Sequence, residues 1–250
     1  MKEIIKDKLA EIEKTEKVKI LYCAESGSRA WGFASPDSDY DVRFIYVREK
    51  DFYLKLEDTR DVIEWQLDDT LDINGWDIQK ALRLLRNSNP TLFEWKASPI
   101  VYKTTKEWEE LAPLFDDCFM IKPMFYHYLS MAKKTYKEKL MGDLVQLKKY
   151  FYALRPLFAC KWLLEKQTPP PMYFQTLFDE YLDEKFKPVV AELIEIKVNS
   201  LETAKGKPIE SLMKYLNDNI LQMETELNKL PTIPKADWEK LNEYFLKLLH

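Results

Sequence analysis

The chain of 250 residues carries 38 Lys and Arg against 42 Asp and Glu, a formal net charge of −4, so it lacks the basic excess of a protein that grips a duplex through many phosphates. With 46% hydrophobic and 14% aromatic residues it has ample material for a buried core, arranged as one large domain or two small ones. Cys23, Cys118 and Cys160 are scattered without Cys-x-x-Cys spacing and only His127 and His250 are present, which excludes structural zinc, a disulfide framework and histidine-based triads or metal sites.

The segment Met1–Leu9 reads as charged and amphipathic rather than as an apolar signal. No apolar run approaches the ~20 residues needed to cross a bilayer, so the expected setting is a reducing cytoplasm with no membrane partner. Val18–Ala24 is rich in β-branched and aromatic residues and predicts a strand, as does Asp41–Val47. Between them lie Gly27-Ser28 and Asp39-Tyr40-Asp41. Residues two apart on a strand share a face, so Asp39 and Asp41 would stand side by side with no apolar residue between them. Such a pair repels itself unless a cation is present. Mg²⁺, with Mn²⁺ as its substitute, is the hard ion that suits it, usually with substrate phosphates completing the shell. Gly27 lets the backbone approach a phosphate closely, and the Ser28 hydroxyl and neighbouring N–H groups donate to it. The plainer alternative is a loop in which Asp37, Asp39 and Asp41 cap turns.

Gly-Ser, a spacer ending in Pro36-Asp37-Ser38-Asp39, and Asp-x-Asp between two predicted strands together resemble the DNA polymerase β superfamily of nucleotidyltransferases. The resemblance implies a third carboxylate on a neighbouring strand. Asp61–Leu67 and Leu71–Trp76 read as two strands joined by a polar turn at Asp68-Asp69-Thr70. On the second, Asp72 must face opposite to Leu71 and Ile73, where it is either the third ligand or a solvated strand residue. Asp77 competes for the role, but it directly precedes the helical pattern Ile78, Ala81, Leu82, Leu85 and reads first as a helix N-cap.

Further along, Gly75-Trp76-Asp77-Ile78-Gln79-Lys80-Ala81-Leu82, Asn89-Pro90, Phe93-Glu94-Trp95, Ser98–Tyr102, Lys148–Leu157 and Pro169-Pro170-Pro171 are similar to the RNA repair pathway DNA polymerase β-like proteins. That similarity implies a minimal nucleotidyltransferase followed by a helical domain and associated with the repair of RNA ends.

From residue 107 the pattern is helical. Trp108, Leu111 and Leu114 begin one amphipathic stretch, and Phe125–Tyr136 a second. A third runs from Leu144 to Trp162 with a kink expected at Pro156, and later helices are predicted over 182–198, 210–230 and 238–249. Lys149, Tyr152 and Arg155, three apart, would share one helix face and suit triphosphate charge and a stacked base, or else simple packing and surface pairing. Lys133, Lys134, Lys137, Lys139, Lys148 and Lys149 otherwise read as a solvated face.

These features predict an α+β fold, with a small mixed sheet in a catalytic domain at 1–106 and a helical domain at 107–250. The expected activity is transfer of a nucleoside monophosphate from a nucleoside triphosphate to an acceptor hydroxyl, an RNA end in particular, with release of pyrophosphate. Asp39, Asp41 and Asp72 would hold metal, Asp72 also helping to deprotonate the acceptor. Gly27 and Ser28 would bind phosphates, assisted by Arg29 unless it pairs with Asp37. Two other readings remain open: a non-catalytic nucleotide-binding or interaction module on the same fold, and nucleotidylation of a protein or a small molecule.

Overall fold

The computed structural model describes residues 1–68, 70–199 and 204–250, which form two compact units. One unit comprises 1–27, 39–119 and 234–250. It opens with α1, Lys2–Glu16, whose Ile5, Leu9 and Ile12 recur at helical spacing and are buried. Lys17, in the left-handed region at φ 52°, ends the helix by donating its N–H to the Glu13 carbonyl.

Then follow β1, Val18–Glu25, and β2, Tyr40–Arg48, with the short helix α2, Gly27–Trp31, between them in the chain. The helix α3, Lys50–Tyr53, leads to β3, Val62–Asp68, and β4, Leu71–Asp77. Asp69, in the predicted turn of that hairpin, lies outside the described residues. The unit continues with α4, Ile78–Arg86, α5, Pro90–Lys96, β5, Val101–Thr104, and α6, Lys106–Cys118, and it includes the last helix, Glu239–Leu248.

The sheet order is β3-β4-β2-β1-β5, with β2 parallel to β4 and every other pair antiparallel. All of β1 except Lys19 is buried, as expected of a strand covered on both faces. On β2 and β4 the alternation decides which residues reach the core. Val42, Phe44, Tyr46, Leu71 and Ile73 join the α1 side chains in one apolar cluster. The intervening residues Asp41, Arg43 and Asp72 therefore emerge on the opposite face.

The other unit comprises 28–38 and 120–233. It contains α7, Ile121–Lys139, a two-residue strand β6, Val145–Gln146, α8, Lys148–Lys166, and α9, Phe174–Tyr181. A 3₁₀ turn at Glu184–Phe186, α10, Lys187–Asn199, a second short strand β7, Lys205–Gly206, and α11, Glu210–Lys229, complete it. The helix α8 is buried on nearly every side and runs as one helix through Pro156, which makes it the axis of this unit. Neither the β6–β7 pair nor α9 is predicted by the sequence pattern. Two-residue strands have no period to read, and α9 is an eight-residue helix directly behind the proline run.

Gly75 tests the sheet. A Cβ there would lie 2.1 Å from Cζ of Phe44, its register partner and fully buried. Gly75→Ala is expected to lower unfolding free energy by about 1–3 kcal/mol through overpacking. Urea denaturation measures the loss, and Phe44→Leu in the same chain should recover part of it.

Candidate active site

The site forms where β1 ends beside the start of β2. Ser26 donates its N–H to the Asp41 carbonyl at 2.8 Å, and the Asp41 N–H donates to Glu25 Oε1 at 2.8 Å. Glu25 is fully buried, its second carboxylate oxygen accepts from the Tyr102 hydroxyl, and its carbonyl accepts from Ser98 Oγ at 2.6 Å. Burial first, then the bond to Glu25 and its charge, pushes the Tyr102 phenol above its ordinary value, so it remains a donor. Glu25 thus fixes the backbone of Asp41.

Gly27 is required here on two grounds. Its φ is +59°, and a Cβ on it would lie 2.0 Å from Asp41 Oδ2. Main chain and carboxylate are in immediate contact. Ser28, buried, follows at the start of α2.

Asp41 and Asp72 are direct register partners on the parallel strands β2 and β4. Arg43, one same-face step beyond Asp41, joins them: its Nη2 donates to Asp41 Oδ1 at 2.8 Å and to Asp72 Oδ2 at 2.7 Å. Its Nη1 donates to the carbonyls of Asp72 at 3.0 Å and Val42 at 3.1 Å. Asp72 is the most open of the three, its side chain 48% exposed against 30% for Asp41 and 17% for Arg43. Asp39 is exposed and precedes β2 by one residue.

Among the described residues no group of three or more His, Cys, Asp or Glu side chains stands ready to enclose a metal ion. The donor chemistry nevertheless suits a hard dication. Mg²⁺ is commonly held by one or two carboxylates with substrate phosphates completing the shell, and Asp41 and Asp72 offer two on one face.

Lys149, Tyr152 and Arg155 also come together, around Trp31. Lys149 Nζ lies 4.8 Å from the Tyr152 ring centre, Tyr152 packs edge-on against Trp31 at 5.1 Å, and the Arg155 guanidinium lies 4.7 Å from the Trp31 ring centre. Arg155 is buried and reaches Met172 Sδ at 3.7 Å. The segment after α2 is held in the same way. Phe33 packs on Phe151 and Phe174, Arg29 Nη2 donates to the Ser38 carbonyl at 2.6 Å, and buried Lys197 donates to Ser35 Oγ at 2.9 Å and Ser38 Oγ at 3.2 Å.

Sequence reading overlooked Glu25, Arg43, Tyr102 and Lys197. Arg43 was within reach, because the period of two that links Asp39 to Asp41 continues to it. Lys197 is 162 residues from Ser35 and carries no local signal.

The match to the RNA repair pathway DNA polymerase beta family spans residues 1–247. The chain belongs to that family. A family relative is the uncharacterized protein YcgL of Bacillus subtilis (strain 168), 42% identical over 248 residues that cover 98% of this chain and 95% of that protein. Among solved structures, a nucleotidyltransferase-like protein from Exiguobacterium sibiricum 255-15 aligns with a TM-score of 0.33 and 14% identity, covering 92% of this chain and 75% of the other. Membership in the polymerase beta family points to a nucleotidyltransferase. No helix among the described residues is long and apolar enough to cross a membrane.

Asp77 occupies the other end of β4. Its carboxylate accepts from the Gln79 N–H at 2.8 Å as the cap of α4, and from the Tyr53 hydroxyl at 2.9 Å. Burial raises its carboxyl above the ordinary value against the opposing pull of these two bonds and of Arg48. A carboxyl raised on folding stabilises most below its unfolded value, and that contribution is lost as pH rises through the folded value. Asn at 77 retains the cap acceptor and does not ionise. Asp77→Asn is therefore expected to gain stability relative to the wild type as pH rises from about 4 toward neutrality. Parallel stability curves for the two proteins, from denaturation at stepped pH, would refute this.

Proposed function

We propose that this protein is a metal-dependent nucleotidyltransferase that moves a nucleoside monophosphate from a nucleoside triphosphate to an acceptor hydroxyl, with RNA ends as the acceptor class and pyrophosphate as the second product. The observation that carries the reading is the pairing of Asp41 with Asp72 on one sheet face, with Gly27 pressed against Asp41. A glycine forced by a carboxylate, next to a serine at a helix start, is the arrangement expected where main chain meets a triphosphate.

Each residue has a role in that chemistry. The backbone at Gly27 and the Ser28 hydroxyl receive the β- and γ-phosphates. Asp39 and Asp41 would hold a divalent ion, Mg²⁺ or Mn²⁺, beside the triphosphate. The bound ion supplies Lewis-acid stabilisation of charge on the phosphoryl oxygens. Asp72 accepts the proton of the attacking hydroxyl through Oδ1, the oxygen that Arg43 does not engage. Glu25 orders Asp41 through its N–H, and Tyr152 and Arg155 order the Arg29–Ser38 segment through Trp31. Phosphoryl-type transfer draws chiefly on positioning and electrostatics, which suits a site built without histidine.

Binding and turnover separate the roles. Calorimetry should show Mg²⁺ strengthening nucleoside triphosphate binding in the wild type and not in Asp39→Asn or Asp41→Asn. Equal binding with and without the ion in the wild type removes the proposal.

The acceptor step is tested with α-labelled nucleoside triphosphates and RNA, protein or small-molecule acceptors. Asp72→Asn should leave nucleotide affinity nearly intact while transfer falls about 10²–10⁴-fold, as for loss of a general base. Label moving to protein or a small molecule but not to RNA would reassign the acceptor, and no product with any acceptor would leave a binding module.

A further inference from the structure

The residue ahead of Asp39 is held by a buried lysine from a distant part of the chain. We propose that Lys197 is a positioning residue for the divalent ion: it fixes the turn at Ser35–Ser38 and so sets the backbone from which Asp39 reaches that ion. This rests on the nucleotidyltransferase reading of Asp39.

The turn is written in the sequence. Ser35-Pro36-Asp37-Ser38 puts a proline at the second position and an aspartate at the third, and the Ser38 N–H closes it on the Ser35 carbonyl at 3.1 Å. Pro36 and Asp37 are exposed at its tip, while both serines are buried. The two hydroxyl oxygens lie 2.8 Å apart, and Ser38 Oγ also accepts from the Ser35 N–H at 2.9 Å. Lys197 Nζ donates to both hydroxyls, at 2.9 Å to Ser35 and 3.2 Å to Ser38. One ammonium thus spans the two ends of the turn. Arg29 Nη2 fastens the Ser38 carbonyl at 2.6 Å.

Packing alone does not call for a lysine here. Val190, Leu193 and Lys197 are the buried residues of α10, at helical spacing. An apolar side chain at 197 would continue that stripe, whereas a buried ammonium suffers a desolvation cost that its bonds offset. What the lysine adds is order at the turn, and Asp39 is the next residue in the chain. On the other side of Asp39, the Tyr40 N–H donates to the Thr70 carbonyl at 2.7 Å. Asp39, itself exposed, is therefore carried between two anchored neighbours. Such order matters to a metal ligand, because misplacement by about 1 Å can cost on the order of 10²-fold in function.

The test is calorimetry of ATP, GTP, CTP and UTP on the whole protein, with Mg²⁺ and with EDTA, for the wild type and Lys197→Met. Methionine keeps an unbranched stem and removes the donors. Lys197→Met is expected to lose about tenfold or more of the strengthening that Mg²⁺ gives, with affinity in EDTA unchanged. The ratio of the two affinities isolates the ion, because a lysine that merely stabilised the fold would shift both together or neither. Ser35→Ala and Ser38→Ala remove its acceptors and should each lower the same ratio. Combined with Lys197→Met they should add little, since the three side chains act as one unit.

A full wild-type ratio in Lys197→Met, or equal weakening with and without Mg²⁺, overturns the proposal and leaves the nucleotidyltransferase reading standing. If Lys197→Met does not fold, a wild-type ratio in both serine variants overturns it in the same way. No strengthening by Mg²⁺ in the wild type overturns both.

Discussion

Two carboxylates in direct register on neighbouring parallel strands repel each other, and the site is arranged around that repulsion. Asp41 and Asp72 have no choice of face. Val42, Ile73 and Leu71 are committed to the apolar cluster beneath α1, and a period of two sends the aspartates to the other side. A slip of one residue between β2 and β4 would turn the slipped strand over, burying its aspartate and exposing its core residues. The hydrophobic pattern that folds the sheet thus also fixes the carboxylate pair.

Around that pair the main chain is unusually constrained. Glu25 is fully buried, yet its oxygens are used by the Asp41 N–H and the Tyr102 hydroxyl, which offsets the desolvation a buried carboxylate suffers. The consequence reaches Gly27, whose left-handed conformation carries the chain past Asp41 within contact distance. In the unit that begins at Ser28, aromatic packing on Trp31 and Phe33 and the Lys197 bonds to Ser35 and Ser38 order the same connection from its other end. Both ends of the Gly27–Asp39 connection are fixed by buried groups.

Much of this was legible in the sequence because it rests on period. The four strands at 18–24, 41–47, 61–67 and 71–76 follow from β-branched and aromatic runs, and the face of Asp72 follows from its apolar neighbours. The cap at Asp77 follows from the helical pattern behind it. The α+β class with a mixed sheet and a helical C-terminal region stands as expected. Short elements were not legible: β5 is a four-residue edge strand, α8 begins at Lys148 rather than Leu144, and Val145–Gln146 pairs instead with Lys205–Gly206. Glu25 and Lys197 were hidden for a different reason. Their partners lie 77 and 162 residues away, and a polar residue in an apolar run announces burial only once the fold is known.

Stability alone does not account for Arg43. An arginine shared between carboxylates that are 30% and 48% exposed lies in a solvent-screened setting where such pairs contribute about 0–1 kcal/mol. Apolar residues at these strand positions would serve the sheet as well or better. What the arginine does provide is geometry. A rigid planar guanidinium fastened to two strands holds two carboxylates at a fixed separation. Reactions whose rate depends on placement within fractions of an ångström draw on that order far more than folding does. The arrangement is costly as architecture and useful as a preorganised site, so the charged face of β2 and β4 is where function is to be sought.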